Sequence, residues 1–411
     1  MQPESQHESS SRIEPARIDT LSGDLPDLVA DVSAAAEGLG RSLHPKTAAN
    51  LANLVRLMNT YYSNLIEGHN TRPRDIERAL AGARDEGQRD LQQEAVAHYR
   101  LQEVIDRQAA DGTLPDPAAP NFLRSLHRDF YAGASADMLT IRHGERAIIM
   151  TPGEWRSAPE HDVEIGRHLP PPSADVPAFM DYFYLRFAFD PASGRMMQGV
   201  GTGRAKRILA TATAHHRFNW IHPFPDGNGR VSRLMSHAMA HRAGIGAHGL
   251  WSISRGLARG LEPGMDGRQE YKRHMAWADE VRQGDRDGRG HLSQKGIEIF
   301  AAWFLHVCLD QLTYMSGLFE LDALSKRLER HVTLSDTLPK EGIRLLQEAL
   351  VRGEFERGEA ERITQLPERT ARRVLKQLTD EGLLASDTPK GPVSLRFPSD
   401  TLETLFPRLY A

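Results

Sequence analysis

Between Ile221 and Arg233 the chain reads Ile221-His222-Pro223-Phe224-Pro225-Asp226-Gly227-Asn228-Gly229-Arg230-Val231-Ser232-Arg233, and this stretch leaves few ways to fold. Pro223 and Pro225 disfavour helix between His222 and Asp226. Gly227-Asn228-Gly229 allows positive φ and a close approach of backbone to a ligand. From Arg230 to His241 apolar residues return at helical spacing, through Val231, Leu234, Met235 and Ala238. The pattern predicts a tight loop opening onto a helix N-terminus, where free N–H groups and the helix dipole form an anion site. Arg230 and Arg233, three apart on the first turn, add cations at the same place. A carboxylate among so many anion-binding groups, Asp226, makes sense where a divalent metal bridges it to phosphate. His222 at the loop mouth is then suited to take a proton from an attacking hydroxyl.

Upstream, Leu51, Leu54, Val55, Met58, Tyr61 and Tyr62 mark one amphipathic helix. It runs into Ser63-Asn64-Leu65-Ile66-Glu67-Gly68-His69-Asn70. Ser63 and Glu67 are i,i+4 neighbours on one face, and Gly68 is a natural stop. Taken alone, a Glu beside a helix-ending Gly is an ordinary solvated residue.

The 221–233 stretch resembles the HxFx(D/E)GNGRxxR signature of the Fic-domain family at every fixed position. The segment before it looks like the (S/T)xxxE(G/N) inhibitory motif of one class of that family, matched at Ser63, Glu67 and Gly68. The resemblance covers about Thr47 to Leu324. It implies a mainly α fold, a Fic-type helical bundle with a β-hairpin flap. It implies transfer of AMP from ATP, with Mg²⁺, to a Ser, Thr or Tyr hydroxyl of a target protein, self-modification included. In that reading His222 deprotonates the hydroxyl, and Asp226 holds Mg²⁺ against the α- and β-phosphates. Gly227, Asn228 and Gly229 stabilise the transition-state charge, and Arg230 and Arg233 clamp the leaving pyrophosphate. Glu67 would pair with Arg233 and fill the space of the γ-phosphate, since an Arg held by a carboxylate cannot also receive phosphate. The runner-up is hydrolytic removal of AMP from a modified protein, with Glu67 orienting a water. Relatives of the fold use other phosphate-containing donors, and the intact Asp-Gly-Asn-Gly loop favours ATP. A homodimer is compatible with the resemblance, because autoinhibition in the family is often tied to one.

At 411 residues the chain is too long for one ordinary core, and two or three domains are expected. Residues 1–25, rich in Ser, Glu, Gln and Pro, read as a disordered tail. Residues 26–115 read as a helical region carrying the inhibitory motif, 116–330 as the catalytic core, and 335–411 as a separate unit. Within the core, Arg146–Met150 and Asp162–Gly166 are short β-branched runs around Pro152-Gly153, which predicts a hairpin. It resembles the Fic flap, in which Val163, Glu164, Ile165 and Gly166 would dock a target segment by β-augmentation. Gly199–Gly203 lacks the spacing of a phosphate-binding loop and reads as a flexible turn. His237 and His241 have zinc-compatible spacing, but no third ligand accompanies them in sequence, so they read as two helix-face histidines. The single cysteine, Cys308, lies in an apolar helical run and excludes a disulfide framework. No apolar run reaches membrane-spanning length and the N-terminus lacks a signal-peptide core, so a cytosolic protein without a membrane partner is expected.

The last unit has helical patterns at Gly342–Leu350, Gly358–Ile363 and Thr370–Asp380, then short strand patterns at Gly382–Leu384 and Val393–Phe397. This order resembles a winged helix-turn-helix. Arg369, Arg372, Arg373 and Lys376 would lie on the exposed face of its third helix, as DNA-binding residues do. Nearby Glu356, Glu359, Glu361, Glu368 and Glu381 dilute the field, and a net charge of −4 gives no global attraction to nucleic acid. A docking module and a DNA reader therefore both stand, the latter making the protein a regulator with a nucleotide-sensing Fic core.

Overall fold

The computed structural model describes residues 8–83, 89–143, 146–190, 199–201 and 203–410. Proline opens several of its helices, because the first helical positions need no N–H and suit proline's fixed φ. The order is α1 (Leu25–Gly38), α2 (Pro45–Ile66), α3 (Pro73–Leu80), α4 (Arg89–Ala110), α5 (Pro120–Phe130) and, after a β-hairpin, α6 (Val176–Phe187). Proline stands at the first or second position of all of these except α4. The hairpin pairs β1 (Thr140–His143) with β2 (Arg146–Ile149), antiparallel.

Two helices then form the centre of the bundle, α7 (Arg204–Ile221) and α8 (Asn228–Arg242). They pack on each other, with α4 and α5 against α8 and with α1, α6 and α11 (Gln294–Leu318) against α7. Between them and α11 come α9 (Ile253–Arg259) and α10 (Gly267–Asp279). Ser252, Asp266 and Ser293 cap α9, α10 and α11 through side-chain oxygens that accept backbone N–H groups. Each such cap contributes about 1 kcal/mol. No helix among the described residues is long and apolar enough to cross a membrane.

Because α7 is covered on every side, its polar residues are buried and must find partners inside. His215 bonds Ser236 Oγ (2.9 Å) and the hydroxyl of Tyr271 (2.7 Å). The guanidinium of Arg217 donates to the carbonyls of Pro15 (2.8 Å) and Ala278 (3.1 Å), and burial pushes its pKa down to about 9.

Two expectations are corrected here. The segment expected as a disordered tail is ordered from residue 8 onward, residues 1–7 lying outside the described residues. Its apolar anchors are few but well spaced: Ile13, Ala16 and Ile18 are buried in the common core. The Glu14 carbonyl accepts from His291 N (2.9 Å) and Leu292 N (2.8 Å), and its carboxylate meets Arg186 (2.7 Å). The hairpin is also not the one expected. Arg146–Ile149 pairs backward with Thr140–His143, and Asp162–Gly166 forms only the bridge Ile165–His168 across its own tight turn. The Pro152-Gly153 signal does turn the chain, but the turn packs on α5: a Cβ on Gly153 would lie 2.9 Å from Arg128 Cβ.

Beyond α11 lie α12 (Leu321–Leu334), α13 (Gly342–Arg352), β3 (Glu354–Phe355), α14 (Ala360–Thr364), α15 (Glu368–Asp380), β4 (Leu384–Ala385), β5 (Val393–Leu395) and α16 (Leu402–Leu405). The strands form one antiparallel sheet in the order β3-β5-β4. This unit grips α2. Thr47 Oγ1 donates to the Leu350 carbonyl (3.0 Å), and the Tyr62 hydroxyl donates to the Leu409 carbonyl (3.0 Å). Arg255 of α9 holds the carbonyls of Arg408 (3.0 Å) and Leu409 (3.3 Å).

Phe183 is fully buried, its ring 4.6 Å from that of Phe187 and 6.1 Å from that of Phe218. Phe183→Ala should destabilise the protein by about 3–5 kcal/mol in urea unfolding, the range for a large buried ring replaced by a cavity.

Candidate active site

The loop between α7 and α8 begins with a strained residue. His222 caps α7 in the left-handed conformation, φ 51° and ψ 62°, unusual for a residue with a Cβ. What holds it is Arg156, whose side chain is 1% exposed. Arg156 donates Nε to the His222 carbonyl (2.6 Å), Nη2 to the carbonyls of Ile221 (3.0 Å) and Pro171 (2.6 Å), and Nη1 to Ser173 Oγ (3.0 Å). Its own N–H donates to the Pro223 carbonyl (2.9 Å). The His222 ring turns Nδ1 toward the Asn219 carbonyl (3.4 Å), so Nδ1 carries the proton and Nε2 is the unprotonated nitrogen. Burial, aided by the charge of Arg156, lowers its pKa to about 4, so the imidazole is neutral at physiological pH.

The loop interior is rigid for identifiable reasons. The Asn228 amide accepts from Phe224 N (2.9 Å) and donates to the Phe224 carbonyl (2.8 Å), closing the loop on itself. Phe224 is fully buried, stacked on His127 at 3.8 Å with Trp155 tilted at 4.6 Å. His127 accepts from Gly153 N (2.8 Å) and donates to the Asp226 carbonyl (3.2 Å), joining the 153 turn to the loop. Gly227 has φ 78°, and a Cβ there would lie 2.9 Å from the Tyr131 hydroxyl. That hydroxyl donates to Asp226 Oδ2 (2.9 Å) and accepts from Arg230 Nη1 (3.1 Å). Burial of its carboxyl raises the Asp226 pKa, but Arg230, the Gly227 N–H and Tyr131 outweigh this and lower it overall. An ionised carboxylate at a solvent-facing loop position, beside a helix N-terminus, is a donor suited to a hard divalent cation.

The anion site already holds an anion. α2 ends in a Schellman turn, with Gly68 N bonded to the Leu65 carbonyl and His69 N to the Asn64 carbonyl. This leaves Glu67 as the cap residue, its carboxylate aimed at α8. Arg233 Nη2 donates to Glu67 Oε1 (2.6 Å) and to the Ser63 carbonyl (3.2 Å), and Arg233 Nε donates to Ser63 Oγ (3.0 Å). A Cβ on Gly229 would lie 2.6 Å from Glu67 Oε1, so the carboxylate rests directly on the first turn of α8. Burial raises the Glu67 pKa, and the charges of Arg233 and Arg230 more than reverse it, keeping the group ionised. Arg230 has its own acid: Nη1 meets Glu94 Oε1 of α4 at 3.0 Å, while Glu94 Oε2 meets His69 Nδ1 at 3.0 Å. A cleft of about 300 Å³ opens beside Glu67, lined by Ile66, Gly68, Asp266, Arg268, Gln269 and Lys272.

His222, Asp226, Gly227, Asn228, Gly229, Arg230, Arg233, Ser63, Glu67 and Gly68 therefore converge. The Asn228 side chain is committed to the loop, so only its backbone faces the anion site. Glu164, Ile165 and Gly166 are exposed and Val163 is half-buried. They sit beside the loop because His168 bonds the Trp220 carbonyl (2.7 Å). Arg369, Arg372, Arg373 and Lys376 lie far along the chain on the exposed face of α15, opposite buried Ala371, Val374, Leu375 and Leu378. Arg372 pairs with Glu368, and Lys376 with Asp380, along the helix.

Sequence reading missed Arg156, Tyr131, His127 and Glu94, which act from outside the motif. Only the Trp155-Arg156 pair after Pro152-Gly153 offered a hint. It also missed Asp106: the two helix-face histidines of α8, His237 and His241, both point Nε2 at Asp106 Oδ1 on α4, at 2.6 and 3.0 Å. Asp106 is more than a hundred residues away in sequence, beyond any local spacing rule.

The sequence model of the Fic/DOC family matches residues 118–240. Protein adenylyltransferase Fic of Drosophila melanogaster is 33% identical over 92 residues, 22% of this chain and 16% of that protein. The Aedes aegypti protein of the same name is 34% identical over 98 residues, with the same coverage. The chain thus spans about a sixth of the length of the curated relatives it matches. A Fic family protein from Desulfovibrio desulfuricans G20 superimposes with a TM-score of 0.50 at 18% identity, over 92% of this chain and 97% of that one, a likeness of fold.

Glu67's folded pKa lies below its unfolded value. Its pairing with Arg233 therefore stabilises fully above the unfolded carboxylate pKa, about 4.3, and is lost as pH falls from there through the folded value. Urea unfolding of the native protein and Glu67→Gln should differ at pH 7, the native protein being the more stable. The two should converge as pH drops below about 4.

Proposed function

From the premise that the chain carries a Fic/DOC-family domain, we propose that it transfers AMP from ATP to a hydroxyl of a target protein and is held inactive by Glu67. The observation that carries this reading is the seat of Glu67. A carboxylate bonded to Arg233 and resting on Gly229 occupies a helix N-terminus built for phosphate, close to a neutral histidine. When Glu67 withdraws, Arg233 is freed to receive the terminal phosphate. His222 Nε2 then takes the proton of a Ser, Thr or Tyr hydroxyl whose oxygen bonds to the α-phosphorus. The bond from that phosphorus to the β-phosphate bridging oxygen breaks, and pyrophosphate leaves toward Arg230 and Arg233. The N–H groups at the start of α8 are pre-aimed at the charge that develops. Asp226 is the residue to hold Mg²⁺, which when bound neutralises phosphate charge. The 163–166 segment beside the loop, exposed from Glu164 to Gly166, would present the target by backbone pairing. No nucleic-acid contact is needed for this chemistry, and the bonds of the C-terminal unit to Thr47 and Tyr62 of α2 support a packing role for it.

A second reading rests on the ionised state of Glu67, which suits it to orient a water for hydrolytic removal of AMP. The two readings part in one experiment. With ATP labelled at the α-phosphate, Glu67→Gly should label itself or a target, while the native protein labels weakly. Glu67→Gly/His222→Ala should fall about 10²–10⁴-fold below Glu67→Gly, the usual contribution of a general base. Absence of label in every variant, with AMP released from a modified protein only when Glu67 and His222 are both present, would replace transfer by hydrolysis.

The pH profile tests the base directly. A base acts only when deprotonated, so kcat/KM of Glu67→Gly should stay level on its acid side down to about pH 5. It should fall tenfold per unit below about pH 4. An acid limb centred near 6.5 would mean that the imidazole is not buried as described.

A further inference from the structure

Arg233, His237 and His241 are spaced four apart on α8 and so form one stripe, facing α2 and α4. One and two turns beyond the inhibitory contact, the stripe meets Asp106. His237 and His241 bring Nε2 to within 2.6 and 3.0 Å of a single carboxylate oxygen, and the three donor atoms all lie within 4.8 Å of one another. The other carboxylate oxygen accepts from Arg56 Nε of α2 at 3.0 Å. Side-chain exposures of 7%, 10% and 11% for His237, His241 and Asp106 make this a sheltered cluster with a narrow opening to solvent.

We propose that Asp106, His237 and His241 bind a divalent transition-metal ion of the zinc class, at a site separate from the phosphate loop. Two imidazoles and one carboxylate are a donor set that Zn²⁺ takes, with water or a further side chain completing four-coordination. Zinc bonds of 2.0–2.1 Å set tetrahedral donors about 3.3 Å apart, so from 2.6 and 3.0 Å the His237 contact must widen by about 0.7 Å and the His241 contact by about 0.3 Å. The two imidazoles are carried on consecutive turns of one buried helix, which fixes their separation in advance. Arg56 holds the far oxygen and orients Asp106, as groups behind metal ligands do. Its charge is offset by Glu103, 3.4 Å away, so the surroundings stay net negative with Asp106 counted. In the metal-bound form each imidazole carries its one proton on Nδ1, any other proton passes to solvent, and the ion replaces the two contacts to Asp106.

The turn over the cluster is built tightly around it. Ala247 and His248 have φ of 44° and 55°, two successive left-handed residues with side chains. A Cβ on Gly246 would lie 2.4 Å from His241 Nδ1, and one on Gly249 would lie 3.3 Å from the Asp106 carboxylate. The turn carries exposed His248 near His241.

The test uses the full chain freed of metal by a chelator. Titration with Co²⁺ should give the visible ligand-field bands of a four-coordinate site, saturating at one ion per chain and displaced by Zn²⁺. His241→Gln and Asp106→Asn, checked for folding by circular dichroism, should weaken binding by roughly 100-fold or more, beyond the loss typical of a second-shell change. Anomalous diffraction from zinc-soaked crystals of the unaltered protein needs no variant and should place the ion between these three residues. No saturable binding, affinity unchanged in either folded variant, or an ion elsewhere would overturn the proposal and leave a hydrogen-bonded polar cluster.

Discussion

A buried guanidinium must be paired, and much of this molecule follows from where Arg233 finds its partner. Arg233 is 2% exposed on a helix surrounded by other helices. Leaving its charge unpaired there would cost several kcal/mol. Its N–H groups are met by Ser63 and Glu67, two residues one helical turn apart at the end of α2. That pairing fixes how deep α2 sits, and it demands a glycine at 229, since any side chain there would collide with the Glu67 carboxylate. It also sets the chemistry. In the proposed reading, the arrangement that satisfies Arg233 fills the space an incoming phosphate would use.

The same logic governs the loop. His222 is held in a left-handed conformation by a single buried arginine that spends its donors on four acceptors. Asn228, whose type looks like that of a ligand contact, closes the loop instead. Chemistry-bearing groups at the surface are thus aimed by polar groups beneath them, and those beneath are far apart in sequence. Tyr131, His127 and Arg156 come from α5 and from the segment after the hairpin, yet each bonds the 222–230 stretch directly.

This separation explains what could be read from the sequence. The 221–233 stretch, the α2 periodicity and the Ser63–Glu67 spacing carry their meaning locally, through proline, glycine and helical period. Pairings between distant segments carry no such mark. Arg146–Ile149 could turn either way in sequence, and the strand before it won because Thr140–His143 supplies four paired positions, whereas Asp162–Gly166 closes on His168. The polar tail reads as disordered by composition, but three buried apolar residues and a shared carbonyl at Glu14 suffice to hold it. Asp106 escaped notice because nothing near it in sequence hints at α8.

The hold of the C-terminal unit on α2 bears on how the resting state can be left. α2 is fastened near its start by Thr47 to Leu350, in its middle by Arg56 to Asp106 and Asn59 to Gln102, and near its end by Tyr62 to Leu409. Lifting the whole helix would break all of these together, an opening whose free energy approaches that of global unfolding. Beyond Tyr62 the chain from Ser63 to His69 is a single helical turn and its glycine cap, held by Arg233 and Glu94, so fraying of that turn breaks fewer contacts than lifting the whole helix. Under the proposed inhibition by Glu67, the moving part would be a hinge seven residues long on a fixed post.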